Sequence, residues 1–439
     1  MNIAIACSSL CLSLGGSERV AVNLSTEMAA RGHAVTLLSL THNNDKNTIP
    51  CYAVSPDVRH VSWENRGKHE DLVQLRKFLV SADIDIFLSM QSGSDHLFWA
   101  MACMGSGIPF ICSERCDPIR YTEQRVWNRS GRLAVLSGAD IIHELLPAYI
   151  SSVPEVFRSK VRIIPNAAPA AMPCNNMAAK GKRLCLLYLA RFDQQKRPWL
   201  LLEAFRMLSA KHPDWDLLMW GHGPEEKRLR TLIRRWALED RIQMRGICRN
   251  APSAYAEAQI YCLPSAYEGF PNAVLEAMCA GLPVLGFAEC AGVRDVIAHG
   301  RTGLVVEEST PAALAQALDT LMSDASQRHA MGKEGKVAAT AYAPAVVYGQ
   351  WEALFEELAR NKGNTVMDSF AREPFASQAR LSAAARREWL FRNFGDPMPY
   401  TSPWLWQRGS LLCRRLASHF ANRVHALLRK TPCKQKDAP

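Results

Sequence analysis

Two stretches of the chain alternate short apolar runs with longer segments whose apolar positions recur every three to four residues. In the first, Met1 to Ser8 reads as a buried strand and Ser17 to Arg31 as a helix behind a glycine turn. His33 to Leu40 reads as the next strand, which completes a βαβ unit. Val58 to Trp63, Ile84 to Met90 and Pro109 to Ser113 continue as strands, with helices at Leu72 to Val80 and Asp95 to Met104. Ala139 to His143 and Arg162 to Ile164 extend the pattern. Pro165 and Asn166 then break it, and the small, Pro- and Ala-rich residues through Lys182 predict a linker.

The second alternation predicts strands at Arg183 to Ala190, Trp215 to Trp220, Ile242 to Arg245, Ile260 to Leu263, Pro283 to Phe287 and Leu304 to Val306. Helices are expected at Trp199 to Lys211, Glu225 to Trp236, Ser253 to Ala258, Ala273 to Ala280, Pro311 to Ser323 and Pro344 to Asn361. This order describes an α/β protein of two doubly wound parallel sheets facing a cleft. The expected divisions are 1–165, a linker at 166–182, 183–362 and an extension at 363–439. In such sheets ligands bind beyond the carboxyl ends of the strands. No repeat of fixed period is present.

Composition supports packed cores: 48% of the 439 residues are hydrophobic and 21% charged, which excludes a disordered chain. The longest apolar runs, such as Leu184 to Ala190, fall short of the roughly 20 residues that span a bilayer. Met1-Asn2-Ile3-Ala4 lacks the basic start of a secretory signal, so a cytoplasmic protein is expected. The fourteen cysteines form no CxxC pair and sit among apolar neighbours, which fits buried, reduced thiols.

Charge changes the picture once it is partitioned. Of the net +10, residues 366–439 carry +8 and the first 365 only +2. A nucleic-acid-binding core should itself be basic, so no nucleic-acid partner is expected.

Four segments carry candidate chemistry. Gly15-Gly16-Ser17-Glu18-Arg19 lies between a strand and a helix but is neither GxGxxG nor a P-loop. It is either a helix start that admits a phosphate or sugar, or simply a tight turn. Arg191 and Lys196 follow a strand, where they would neutralise a diphosphate leaving group or form a solvated basic loop. Gly221-His222-Gly223-Pro224 allows backbone to approach a ligand closely, and His222 reads as a polar loop residue. The fourth is Tyr267 to Met278, with Glu268 in a loop and Glu276 on the following helix. Asn272 is placed to cap that helix, and the N–H groups of Asn272, Ala273 and Val274 would form an anion site. Two carboxylates flanking a phosphate-binding helix start describe a nucleotide-sugar site; an ordinary surface glutamate or a hydrolase pair are the other readings.

Glu268 to Glu276 resembles the E-x7-E motif of the retaining GT-B glycosyltransferases of family 4, the glycosyl transferases group 1. Gly15-Gly16-Ser-Glu-Arg resembles the family's N-terminal loop, and Arg191 with Lys196 its Arg…Lys pair. Gly221-His-Gly-Pro, Gly281-Leu-Pro-Val and Gly300-Arg-Thr-Gly-Leu-Val are similar to its later signatures. The similarity covers about residues 1–362. It implies two Rossmann-like domains and transfer of a hexose from a nucleotide diphosphate sugar, taken as a UDP sugar, with retention. The acceptor implied is a lipid-linked or cell-surface glycan precursor; a non-catalytic scaffold in glycan assembly is the alternative. Neither cofactor nor metal is implied, the nucleotide sugar being a co-substrate. Carried over, Arg191 and Lys196 bind the diphosphate, Glu276 the ribose and Glu268 the sugar. Backbone from Gly269, Phe270, Pro271, Asn272 and Ala273 assists. Gly246-Ile247 meets the base, Gly221 approaches the ligand, and Gly16, next to Gly15, backs the donor phosphate from across the cleft. Where many relatives carry a histidine, this chain has Glu114-Arg115-Cys116-Asp117-Pro118. Glu114 or Arg115 is then expected to face sugar or acceptor, a structural salt bridge being the other reading.

In the extension, Arg408 to Lys430 predicts a helix with an apolar stripe of Leu412, Leu416, Phe420, Val424, Leu427 and Leu428. Eight basic residues and one acidic fall between Trp404 and Pro439. A basic amphipathic helix preceded by tryptophans predicts an anionic membrane partner, and so a peripheral place on the inner face of the cell membrane, a helix packed on the core being the other reading.

Overall fold

The computed structural model describes residues 1–10, 15–41, 52–64, 69–91, 93, 95–124, 129–173 and 183–366. The expected basic helix of the extension, and 174–182 of the expected linker, lie outside the described residues. The chain divides into two compact units: one of Met1–Glu144, Ser152–Arg162 and Trp351 onward, the other of Leu145–Ser151 and Ile163–Gln350.

The first unit holds strands β1 (Asn2–Cys7), β2 (Ala34–Thr41), β3 (Val58–Glu64), β4 (Ile86–Gln91), β5 (Phe110–Glu114), β6 (Ile141–Glu144) and β7 (Val161–Ile163). They order as β3-β2-β1-β4-β5-β6-β7, and the pairs from β3 to β6 are parallel. Helices α1 (Gly16–Ala30), α2 (His69–Ser81), α3 (Asp95–Cys103), α4 (Pro118–Glu123) and α5 (Arg129–Gly138) connect them. On one face of the sheet Leu72, Leu75, Leu79, Phe87, Trp99 and Phe110 pack into one cluster. The order reverses between β1 and β4, which is the topological switch point of this sheet.

The second unit repeats the plan. Strands β8 (Leu184–Leu189), β9 (Trp215–Trp220), β10 (Ile242–Gly246), β11 (Ile260–Leu263), β12 (Val284–Phe287) and β13 (Gly303–Val306) order as β10-β9-β8-β11-β12-β13, all parallel. Helices α6 (Pro198–Leu208), α7 (Glu226–Arg235), α8 (Ala251–Glu257), α9 (Asn272–Cys279), α10 (Ala291–Val296), α11 (Pro311–Ser323) and α12 (Ala325–Ala339) accompany them. Its switch point lies between β8 and β11. Buried clusters occupy both faces of the sheet.

Periodicity missed four helices: α4, α5, α10 and α12. Helix α12 shows why, since Gly332 and Gly335 interrupt its apolar pattern. A Cβ at Gly332 would collide with Gly281 O, so that glycine serves close approach rather than a turn. The last helix, α13 (Pro344–Ala359), begins among second-unit residues, and from Trp351 on belongs with the first. There Trp351 stands 4.5 Å from the His143 ring and Glu352 pairs with Arg31 at 2.6 Å. Among the described residues no helix is long and apolar enough to cross a membrane.

Candidate active site

The loops leaving β8 and β11 meet at the second unit's switch point. Their side chains bring Lys196 Nζ to 2.5 Å from Glu268 Oε1. Both are largely dry, with side-chain exposures of 15% and 8%. The loop after β8 is tied by Asp193, whose carboxylate accepts from the Lys196 backbone N–H at 2.9 Å and pairs with Arg191 at 3.1 Å. Tyr188 donates to Arg191 O at 2.6 Å; burial, then the charges of Asp193 and Glu268, push its phenol well above the ordinary range and keep it a donor. Arg197, in left-handed conformation at φ 44°, opens α6 and pairs with Glu289 at 2.5 Å. Arg191 itself is 66% exposed and also donates to Gln195 at 3.0 Å, so its guanidinium stands at the mouth of the site.

Glu268 is anchored from three sides. The buried Tyr149 hydroxyl donates to its carbonyl, Gln195 donates to the preceding Tyr267 carbonyl at 2.9 Å, and Gly292 comes close to its Cβ. Eight residues on, Glu276 is buried and accepts from Tyr255 at 2.9 Å. That hydroxyl also reaches Ala273 O at 3.2 Å.

The start of α9 departs from expectation. Asn272 is its first residue, Pro271 takes the cap position, and no side chain caps it. The Asn272 Oδ1 instead accepts from Asn166 at 2.8 Å. The Asn272 and Val274 N–H groups bond to Phe270 O and Pro271 O, each at 2.9 Å. Two of the three donors expected to make an anion site are thus turned to backbone. Phe270 is buried, its ring 5.8 Å from Tyr342, and Gly269 is buried beside it.

Gly221 answers to the loop rather than to open space. A Cβ there would collide with Ala190 O, and one at Gly223 with Phe192 O. The two loops lie side by side, with Phe192 N–H bonded to His222 O at 3.0 Å and Glu225 N–H to Phe192 O at 2.9 Å. Gly221 N–H reaches Gly246 O at 2.8 Å, and Gly246 adopts φ 72°, which favours glycine. Beyond it Ile247 is 57% exposed, a large apolar surface where a base was expected. Arg191, Lys196, Gly221, Gly246, Ile247, Glu268, the 269–273 backbone and Glu276 therefore all belong to one unit.

Gly15, Gly16 and Glu114 belong to the other. Gly15 stands at the N-cap of α1 without a positive φ, and its missing side chain leaves room for Glu18. The Glu18 carboxylate takes hydrogen bonds from its own N–H and from Ser17, so it occupies the helix start expected to hold a phosphate. Burial raises its carboxyl above the usual range, against hydrogen bonds and the Arg115 charge. Arg115 is buried too, which pushes its guanidinium down to about 10 with Glu18 opposing.

Glu114 is where the structure departs most from the sequence reading. Its carboxylate accepts both prongs of Arg132, at 2.8 and 2.6 Å, and it is buried rather than turned to a sugar or acceptor. Arg132 also donates to Ser152 O and Oγ at 2.8 and 2.9 Å, and lies 3.8 Å from Glu144. Burial would raise the Glu114 carboxyl, but the charge and hydrogen bonds of Arg132 hold it below the ordinary range. Glu144, fully buried, is pushed well above that range by burial and by the Glu114 charge. One guanidinium balances one carboxylate, and the second carboxyl stays neutral. This is the salt-bridge reading of Glu114, and no signal in the sequence pointed to its partner eighteen residues on. Tyr149, Tyr255 and Asp193 were missed because each acts on backbone or on another side chain rather than through a motif.

Two doubly wound parallel sheets, with a lysine–glutamate pair and a second buried glutamate beyond the strands of one of them, define a GT-B glycosyltransferase. Residues 175–338 match the family description "Glycosyl transferases group 1" and residues 14–169 match "Glycosyltransferase Family 4". The chain belongs to this family of glycosyltransferases. An uncharacterized glycosyltransferase of Haemophilus influenzae is 26% identical over 347 residues, 78% of this chain and 96% of that one. An exopolysaccharide phosphotransferase of Streptomyces coelicolor is 31% identical over 381 residues, 79% of this chain, but the chain spans only 40% of that longer protein. The solved structure of Anabaena HepE in complex with UDP has a TM-score of 0.66 at 14% identity, covering 81% of this chain and 100% of that one. At that identity the likeness speaks for the fold.

Proposed function

We propose that the chain is a retaining, metal-independent glycosyltransferase that moves a hexose from a UDP sugar to a lipid-linked or cell-surface glycan precursor. The observation that carries this is the dry Lys196–Glu268 pair at the switch point, with Glu276 eight residues on. Lys196, with Arg191 at the mouth, would neutralise the charge that grows on the departing diphosphate, and a site with little water makes each interaction stronger. Glu268, acceptor-only when ionised, would take hydrogen bonds from sugar hydroxyls, and Glu276 from ribose hydroxyls. The donor's own phosphate would act as base, a role for which Glu114 is not free because its carboxylate is committed to Arg132. UDP in the structural likeness to HepE and the exopolysaccharide name of the Streptomyces relative support donor and acceptor class. The basic, amphipathic sequence of 404–439 supports an acceptor held at a membrane and a protein peripheral to its inner face.

The experiment incubates the protein with UDP sugars and a polyprenyl-diphosphate glycan, with and without EDTA. It follows the anomeric configuration of the product by NMR. Transfer with retention, insensitive to EDTA and lost in Glu268→Gln, is expected. Absence of transfer from every UDP sugar, with UDP still bound, would instead make the chain a non-catalytic scaffold.

A further inference from the structure

Helix α7 carries five cations against one carboxylate. Leu229 and Ile233 face the core, while Lys227, Arg228, Arg230, Arg234 and Arg235 are exposed. Some of this charge is answered locally: Arg230 pairs with Glu226 at 2.8 Å and Arg228 with Glu225 at 3.1 Å. Lys227, Arg234 and Arg235 have no carboxylate within ion-pair distance among the described residues. Helix α6 lies alongside. Arg228 stands 5.2 Å over the Trp199 ring, and Arg206 stands 5.0 Å over Trp236. Met207, on α6, is 51% exposed.

We propose that this face of α6 and α7 docks on an anionic phospholipid surface. Opposite charge selects an anionic partner, and the rings select between lipid and nucleic acid. Trp199 and Trp236 are half-buried beneath guanidinium groups, so neither offers the bare ring on which a base stacks. Long cationic side chains with a methionine beside them suit the boundary between headgroups and acyl chains, where the stems lie in apolar surroundings and the charges reach phosphate. The inference is independent of the transfer chemistry, because no residue of α7 belongs to the Lys196–Glu268 site.

The test is co-sedimentation of the full chain, at low salt, with vesicles of phosphatidylcholine alone or containing phosphatidylglycerol. A variant carrying Lys227→Gln, Arg234→Gln and Arg235→Gln is compared with one carrying Lys77→Gln, Arg301→Gln and Lys333→Gln. The second loses the same charge at other exposed positions. A cation near an anionic surface is worth about fivefold in partitioning, so the α7 variant should bind the anionic vesicles roughly a hundredfold more weakly. The comparison variant should bind as the parent does, and both should keep the parent's melting temperature, which reports folding. Equal weakening in the two variants, or none in the α7 variant, overturns the proposal. So does an α7 variant that loses affinity for a DNA duplex while keeping the vesicles.

Discussion

Replacing Lys196 with methionine keeps most of the side chain's volume and removes its charge. What remains is the Glu268 carboxylate in a site where it is 8% exposed and its former partner stood 2.5 Å away. Removing one member of a buried ion pair costs about 3–5 kcal/mol, mostly from the charge left behind. Glu268→Gln alone should cost only about 1 kcal/mol, because the lysine stem can turn its ammonium toward water. The double variant should be more stable than Lys196→Met, giving a coupling of at least about 2 kcal/mol. Urea unfolding followed by tryptophan fluorescence measures the cycle, since Trp199, Trp215, Trp220 and Trp236 report on this unit. Calorimetry with a UDP sugar separates function from folding: all three variants should lose donor affinity, the double one included. A coupling below about 0.5 kcal/mol, or a double variant that regains donor binding, would refute the argument.

Three further outcomes are expected. Glu144→Gln should stabilise the protein: a buried carboxyl with a raised pKa is neutral when folded and ionised when unfolded, so the wild type loses stability as pH rises above 4.5. The advantage of the variant in urea midpoints should grow by about 1.4 kcal/mol per pH unit and vanish near pH 4; a gap that does not change with pH would sink it. Burial pushes His96 down to about 4 from 6.5, so the contribution of this group to stability is complete above pH 6.5 and falls by roughly 3 kcal/mol as pH drops to 4. His96→Gln should flatten that acid limb in thermal melts, and an unchanged limb counts against the assignment. Tyr149→Phe leaves the Glu268 carbonyl buried without its donor, at a cost of about 1–3 kcal/mol. Turnover should drop with UDP affinity nearly kept, and loss of both together would mean a merely structural contact.

Both sheets were legible because a parallel strand buried on two faces is a continuous apolar run, and Ile3–Cys7 of β1, β8 and β11 are such runs. Strand alternation with helices, plus glycine and proline at the breaks, implied the two doubly wound units. Lys196, Glu268 and Glu276 were legible as positions, since a loop beyond a strand and a helix start are local features. That Lys196 and Glu268 touch was not, because 72 residues separate them and only the adjacency of β8 and β11 joins their loops.

The sequence by itself determined the order of elements, the candidate residues and the concentration of charge beyond residue 365. These follow from local periodicity and composition, which need no knowledge of neighbours. Only the tertiary structure decided which charges meet. Glu114 went to Arg132 because β5 and α5 place them together in a dry interior, where a lone carboxylate is far costlier than a paired one. Glu18 folded onto its own helix start, and Gly332 let α12 approach Gly281. Each of these depends on distance across the fold rather than along the chain, and burial then sets how much each contact is worth.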